Sequence, residues 1–409
     1  MSLPQKCNLQ CLKLKPLAGI YLHIPFCKQA CHYCNFHFST SLKLKNDFLT
    51  ALLKEIKLRE DYLEQEQVHT VYFGGGTPSL LEERELATIF QSLRHHFLIH
   101  PDAEITLEAN PDDISPVKAA AWKKAGVNRL SIGIQSFFNE DLSWMNRAHD
   151  AKQAAGCIRW AQEAGIDNIS IDLIYGTPTL PDDKWEDNLR RAADMGIPHL
   201  SCYALTVEQG TALDFLIRKK KVSDVSNEDQ ARQFLMMTDI LQSRGYEHYE
   251  ISNLAFPGKR SRHNSAYWKG TKYIGLGPSA HSFNGRSRQW NIANNALYIQ
   301  SLAKNDIPFE IEELTAQQQY NEYVMTSIRT MEGTDRRHVE QKFGKDFYAL
   351  LGKSAAPMIQ KKWLLETGHR LVLSREGKLF ADRVAAELFA DPSDPSEKGP
   401  DLSSRMPNA

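Results

Sequence analysis

Three cysteines, Cys27, Cys31 and Cys34, stand in a C-x3-C-x2-C spacing inside the run Tyr21 to Phe38, directly after an apolar stretch. Three thiolates from one loop can hold three irons of a [4Fe-4S] cube and leave the fourth iron open to a ligand that is not protein. A zinc site with His32 or His37 as fourth ligand is the competing metal reading. Zinc sites usually pair C-x2-C units, and no second pair lies downstream. Three unrelated reduced thiols are the other alternative, against which stands the crowding of three of the seven cysteines into eight residues. C-type haem attachment is excluded, because Asn35 and not a histidine follows Cys34.

Lys and Arg total 49 against 50 Asp and Glu, so no basic excess supports nucleic-acid binding. No apolar run reaches transmembrane length. Met1 to Lys15 has no apolar h-region, so a secretory signal is not expected. Reduced cysteines in a metal-type spacing fit a cytoplasmic protein. Cys7 and Cys11 read as thiols in a leader, with a second metal site as the alternative.

The cysteine loop follows an apolar strand, residues 19–24, stopped by Pro25. Further strands are expected at 70–73, 104–109, 129–134, 169–175 and 199–205. Helices are expected between them at 44–63, 83–97, 115–124 (with Ser115 as N-cap), 151–164 and 182–193. Six alternations argue a parallel α/β sheet, open or closed. No G-x-G-x-x-G opens the first helix, which disfavours a Rossmann site. A (β/α) barrel puts its chemistry at the carboxyl ends of the strands. Those ends carry the cysteines, Gly74-Gly75-Gly76-Thr77, Glu108, Gln135, Asp172 and Tyr203-Ala204. Glycines let backbone N–H groups approach a ligand, or simply make a tight turn. Acids within apolar runs need a partner. Arg147 is a candidate partner for a carboxylate, or a plain ion-pair arginine.

Past residue 210 the character changes. Arg218 to Lys221 reads as a solvated charge run. A helix is expected at 228–244, ended by Gly245, and a strand at 246–253. His263-Asn264-Ser265-Ala266-Tyr267-Trp268 offers an imidazole that can ligate haem iron and rings that can flank a porphyrin. A core histidine among aromatics is the alternative, and His248 and His281 are rival ligands. Helices at 320–329, 336–343 and 355–362, a hairpin of 371–374 with 378–379, and a last helix at 382–388 suggest a winged helix. A disordered tail follows Phe389.

The cysteine loop, Tyr21 to Cys27, Gly74 to Pro78, Arg129 to Ser136 and Arg147 with His149 resemble the oxygen-independent coproporphyrinogen III oxidase-like branch of the radical S-adenosylmethionine (SAM) superfamily, over roughly residues 18–385. The resemblance implies an α/β fold: a partial (β/α)6 radical SAM barrel at 18–210 after a leader at 1–17, an α+β extension at 211–300, a winged-helix-like domain at 301–389 and a tail at 390–409. It implies a [4Fe-4S] cluster on Cys27, Cys31 and Cys34. It implies SAM contacts from Tyr21, Tyr33, Gly75, Gly76, Thr77, Glu108, Gln135, Arg147, Asp172 and Ala204. The dehydrogenases of that branch carry a further cysteine where this chain has Phe36. Its haem-chaperone group, HemW, lacks that cysteine and carries H-N-x-x-Y-W, matched here by His263, Asn264, Tyr267 and Trp268. Haem binding and delivery to respiratory-chain acceptors, membrane-associated ones included, are therefore expected, with a homodimer as a family-level expectation. The alternative is SAM-driven oxidative decarboxylation of coproporphyrinogen III.

Overall fold

The computed structural model describes residues 17–390; Cys7, Cys11 and the tail after Ala390 lie outside them. The first half runs β1 (Leu17–Ile24), α1 (Lys45–Leu58), β2 (Gln67–Gly75), α2 (Glu83–His96), β3 (Ile99–Ala109), α3 (Pro116–Ala125), β4 (Arg129–Gln135), α4 (Asn139–Trp144), α5 (Ala151–Glu163), β5 (Ile169–Tyr175), α6 (Asp182–Asp194) and β6 (His199–Ala204). There follow α7 (Ala212–Arg218), α8 (Asn227–Ser243), β7 (Glu247–His248), β8 (Asn253–Ala255), α9 (Arg262–Trp268), β9 (Lys272–Leu276), β10 (His281–Phe283), β11 (Ser287–Asn291), α10 (Asn295–Ala303) and β12 (Phe309–Glu313). The chain closes with α11 (Ala316–Ile328), β13 (Thr334–Asp335), α12 (Arg336–Phe343), α13 (Lys345–Gln360), β14 (Leu364–Thr367), β15 (Arg370–Leu373) and α14 (Ala381–Glu387).

β1 to β6 lie side by side in chain order and parallel, and β9 joins β1, also parallel. β8 and β7 extend one side and β10, β11 and β12 the other, all antiparallel. The sheet is open, with β12 and β7 at its edges, so the six βα units form part of a barrel that does not close.

A period of two along each strand sorts the residues by face. Ile20, Leu22 and Ile24 of β1, Leu130, Ile132 and Ile134 of β4, and Ile169, Ile171 and Leu173 of β5 are fully buried. They share a core with Phe48, Leu52 and Ile56 of α1. The alternate residues are polar or small, and the register aligns them across strands. Gly19 lies beside Thr70 and Thr70 beside Glu104; Tyr21 pairs with Tyr72; Glu108 pairs with Ser131; Asp172 pairs with Ser201. The concave face is thus a polar and aromatic trough, while the convex face carries the hydrophobic core.

Local signals hold where caps are present. Ser115 accepts the Lys118 N–H at 3.2 Å, and left-handed Gly126 ends α3. Gly245, also left-handed, follows α8. Four expectations differ. α1 stops at Leu58, because the turns over residues 59–65 leave the helical path, with Glu64 and Gln65 at positive φ. The strand expected at 246–253 is two short pieces, β7 and β8. The helix expected at 355–362 begins at Lys345 and runs through Pro357, carried by buried Phe347, Leu351, Ala355 and Met358 at helical spacing. The hairpin pairs β14 with β15 around Gly368, at φ +62, while Lys378 and Leu379 lie in a helical turn. Gly368-His369 is a two-residue loop of the kind that tight hairpins favour.

α11 to α14 and the three-stranded sheet β13-β15-β14 form a winged-helix-like module around a second core of Tyr320, Val324, Leu351, Leu371 and Val384. No helix among the described residues is long and apolar enough to cross a membrane.

Candidate functional site

The cysteine loop is tied down from several directions. Cys27 N–H donates to Ser39 O at 3.0 Å and His32 N–H to Met145 O at 3.2 Å. Gln29 donates to the Asn146 side chain, and Asn146 in turn donates to Ala30 O. Lys28 pairs with Asp112 and Asp113. The segment after α4 therefore acts as a clamp on the loop, and it also delivers Arg147. His32 gives Nδ1 to Trp144 O, and His37 gives Nε2 to Asn295, so neither imidazole turns to the thiols. Among the described residues no three His, Cys, Asp or Glu side chains converge on a position for a single metal ion.

Cys27, Cys31 and Cys34 instead face a shared cavity of about 420 Å³ at the carboxyl ends of β1 to β6. Tyr33, Gly75, Gly76, Thr77, Glu108, Gln135, Arg147, Asp172 and Ala204 line the same cavity. Arg147 crosses it, with Nη1 3.2 Å from Cys31 Sγ and Nη2 donating to Asn110 Oδ1 at 2.8 Å and Gly133 O at 2.9 Å. Burial alone would lower its pKa; the Tyr33 hydroxyl and the Cys31 sulfur more than offset that and hold the guanidinium charged. Thr77 donates its hydroxyl to Cys27 Sγ at 3.4 Å.

Burial pushes the Cys27 thiol up to about 11 and raises Cys34 as well. Metal binding would have to remove those protons. Burial also pushes Glu108 up to about 7, with the Asp172 carboxyl adding to the rise, and pushes Asp172 up to about 6, where Ser201 and Arg129 moderate it. Two acids poised near neutrality can accept hydrogen bonds from a ligand's hydroxyl or amino groups.

The glycines after β2 serve first to pack the chain. Gly75 has φ +107, and a Cβ there would stand 2.7 Å from the His23 ring. A Cβ on Gly76 would stand 2.7 Å from Phe26 O. They bring β2's end against the cysteine loop's entry, which a side chain would prevent. Gln135 is a non-glycine residue at φ +64, a left-handed backbone of the kind that collects at functional sites.

A second, larger cavity of about 760 Å³ opens along the trough. His263, Asn264, Tyr267 and Trp268 of α9 line it, opposite the residue types contributed by the strands: Gly19, Tyr21, Thr70 and Tyr72. Tyr21, expected beside SAM, lines this cavity, where it stacks on its register partner Tyr72 at 6.1 Å. Glu104 accepts the N–H groups of Arg262 and His263 at 3.1 and 3.0 Å and so fixes the start of α9. The His263 ring stacks on Tyr72 at 4.9 Å and shares a hydrogen bond with Thr70 Oγ1 through Nδ1 at 2.9 Å. Its Nε2 makes no hydrogen bond among the described residues. Burial pulls its pKa down to about 4, which keeps the imidazole neutral. His281 also lines this cavity, whereas His248 is consumed elsewhere by Ile251 O.

Asn35, Phe36 and Tyr203 line both cavities and form the partition between them. Sequence reasoning left Asn110, Thr70, Tyr72 and Phe36's place in the wall unassigned. The alternation Thr70-Val71-Tyr72-Phe73 carried the signal for the strand residues; nothing local marked Phe36 as a partition.

Two family models match: the Radical SAM superfamily over residues 21–192 and the HemN C-terminal domain over 314–380. The Mycobacterium tuberculosis protein named heme chaperone HemW is 36% identical over 91% of this chain and 94% of its own length. The Bacillus subtilis heme chaperone HemW is 31% identical over 92% of this chain and 100% of its own. Among solved structures, Escherichia coli coproporphyrinogen III oxidase (HemN), described as a radical SAM enzyme, superposes with a TM-score of 0.80 at 24% identity, covering 92% of this chain and 90% of that one. That likeness concerns the fold. With relatives this similar over nearly their whole length, the chain belongs to the HemW family of the radical SAM superfamily.

Proposed function

We propose that this chain is a haem chaperone that binds a [4Fe-4S] cluster through Cys27, Cys31 and Cys34, SAM in the same cavity, and haem in the larger one. The observation that carries this reading is the pair of adjoining cavities. One presents three thiols, a charged arginine and two acids; the other presents a neutral imidazole with a free Nε2 among aromatic rings. Cavities of several hundred Å³ with apolar walls and a few aimed polar groups are typical of cofactor sites. Thiols spread around a cavity and not drawn to one point suit a polynuclear group better than zinc.

Bound at these thiols, the cluster and SAM would supply one-electron chemistry. The chain's own residues would do the rest. Arg147 offers its charge to a carboxylate, Glu108 and Asp172 accept hydrogen bonds, and the wall around Phe36 screens one cavity from the other. In the larger cavity Thr70 would orient His263 as an iron ligand, the role that a hydrogen-bonded partner plays for metal-bound histidines generally. The relatives' name supports haem as the cargo, and the proposal extends to work in the cytoplasm and transfer of haem to respiratory haem proteins.

The test is anaerobic titration of reconstituted protein with haem, followed by its Soret band, in the parent and in His263→Ala. Affinity falling about tenfold or more, with a changed spectrum, is the expected result; identical curves would remove His263 as ligand. In a parallel incubation with SAM, a reductant and coproporphyrinogen III, protoporphyrinogen IX should not form. Its formation would favour the dehydrogenase reading.

A further inference from the structure

Arg329 caps the C-terminal end of α11, in the second module, yet it lines the larger cavity of the sheet. Its Nη2 touches Asp382 of α14, a side chain that is 82% exposed. Its Nη1 and Nε make no hydrogen bond among the described residues. The other cation on the cavity wall, Lys272, is already held by Glu64 at 3.0 Å and Glu66 at 2.7 Å. Glu250, the acid beside Arg329, is buried and lines the same cavity, its carboxyl accepting a hydrogen bond from the Asn253 amide. The cavity therefore carries one guanidinium with two unused donor positions, hydrogen-bonded only to an acid on the open surface and attracted, without a hydrogen bond, to the buried Glu250 carboxyl.

An exposed ion pair contributes little and is exchanged at small cost. A carboxylate entering from the cavity would meet the same guanidinium in a more shielded place, where its fork geometry can take two oxygens at once. We propose that Arg329 is the anion anchor of the larger cavity, binding a carboxylate on the rim of a flat apolar ligand. This rests on the haem reading above, in which the carboxylate is a haem propionate. The C-terminal module then belongs to the binding site itself, since it supplies the group that distinguishes a carboxylated macrocycle from an uncharged one.

The test compares haem with haem dimethyl ester on the full chain, each titrated into the parent, Arg329→Gln, Arg329→Lys and Asp382→Asn, with thermal unfolding as the folding check. The parent should bind the acid more tightly than the ester. Arg329→Gln should lose about tenfold in affinity for the acid and nothing for the ester. Arg329→Lys should fall between, which keeps the comparison informative should the Gln variant unfold. Asp382→Asn should bind the acid at least as tightly as the parent. An acid-to-ester ratio unchanged by both Arg329 substitutions overturns the anchor and leaves the haem reading intact. Failure of the parent to bind either porphyrin overturns both.

Discussion

His263 is gripped at Nδ1 by Thr70 and left open at Nε2, and its ring lies against Tyr72, so its direction is set before any ligand arrives. Thr70→Val keeps the shape of β2 and removes only that hydrogen bond. Haem affinity should fall by a few fold, less than for His263→Ala, with stability nearly unchanged; an effect as large as the alanine's would mean Thr70 supports the strand and not the imidazole. Phe36 bears on a different property. At 68% exposure it is not a core residue, and its ring stands between the two cavities. Phe36→Ala should weaken haem binding while iron and sulfide content stay at the parent's level. For the thiols, Cys31→Ala should lose iron outright and leave haem binding in place; full iron retention would end the three-thiolate assignment.

Among the elements, α9 lines the larger cavity, and it is short enough to need help. Glu104 supplies it, accepting two N–H groups that the helix cannot satisfy and placing a negative charge at its start. Glu104→Ala should cost about 1–2 kcal/mol in denaturant unfolding and loosen haem binding together. Unchanged stability with normal haem binding would show that Ser261, which caps the same helix, suffices. The strand ends were readable in advance for a physical reason: buried acids and glycines interrupt apolar runs only where something else repays them. Gly75, Thr77, Glu108, Gln135, Arg147 and Asp172 all meet at one cavity. The place of Tyr21 on the wall of the larger cavity was not legible, because its face is decided by register against β2, a relation between strands. The glycines allowed two readings, ligand approach or a tight turn; Gly75 and Gly76 let His23 and Phe26 come close, and both also line the cavity. Pro357 hid most of α13, since a proline ordinarily marks a helix start or end, and tertiary burial of Phe347 and Leu351 outweighed the lost hydrogen bond.

Across the whole molecule, the two cores meet where β7 and β8 approach the C-terminal module. Met331 N–H donates to Tyr249 O at 2.9 Å, Glu250 bridges Thr330, and Arg375 pairs with Asp239 at 2.6 Å. His248 lies in this junction, its Nε2 bonded to Ile251 O. Burial, with Lys378 beside it, pulls its pKa down to about 3. An unfolded histidine titrates near 6.5, so between those values the unfolded chain binds the extra proton. The stability due to neutral His248 is thus full above about pH 6.5 and is lost progressively as pH falls toward 3. Glu108 and Asp172, whose values are raised, act with the opposite sign, favouring the fold at low pH and losing that contribution as pH rises through 6 to 7. Comparing the parent with His248→Gln isolates the histidine: their difference in unfolding free energy should shrink as pH is lowered from 7 to 5, and a constant difference would contradict the assignment. The two adjoining cavities make a stronger demand on the molecule, that cluster, SAM and haem be held at the same time. Haem stoichiometry measured anaerobically on protein with its cluster reconstituted and SAM in excess examines this directly. One haem per chain with the cluster absorbance undiminished is expected. Haem that binds only as the cluster or SAM is lost, or does not bind at all, would contradict it.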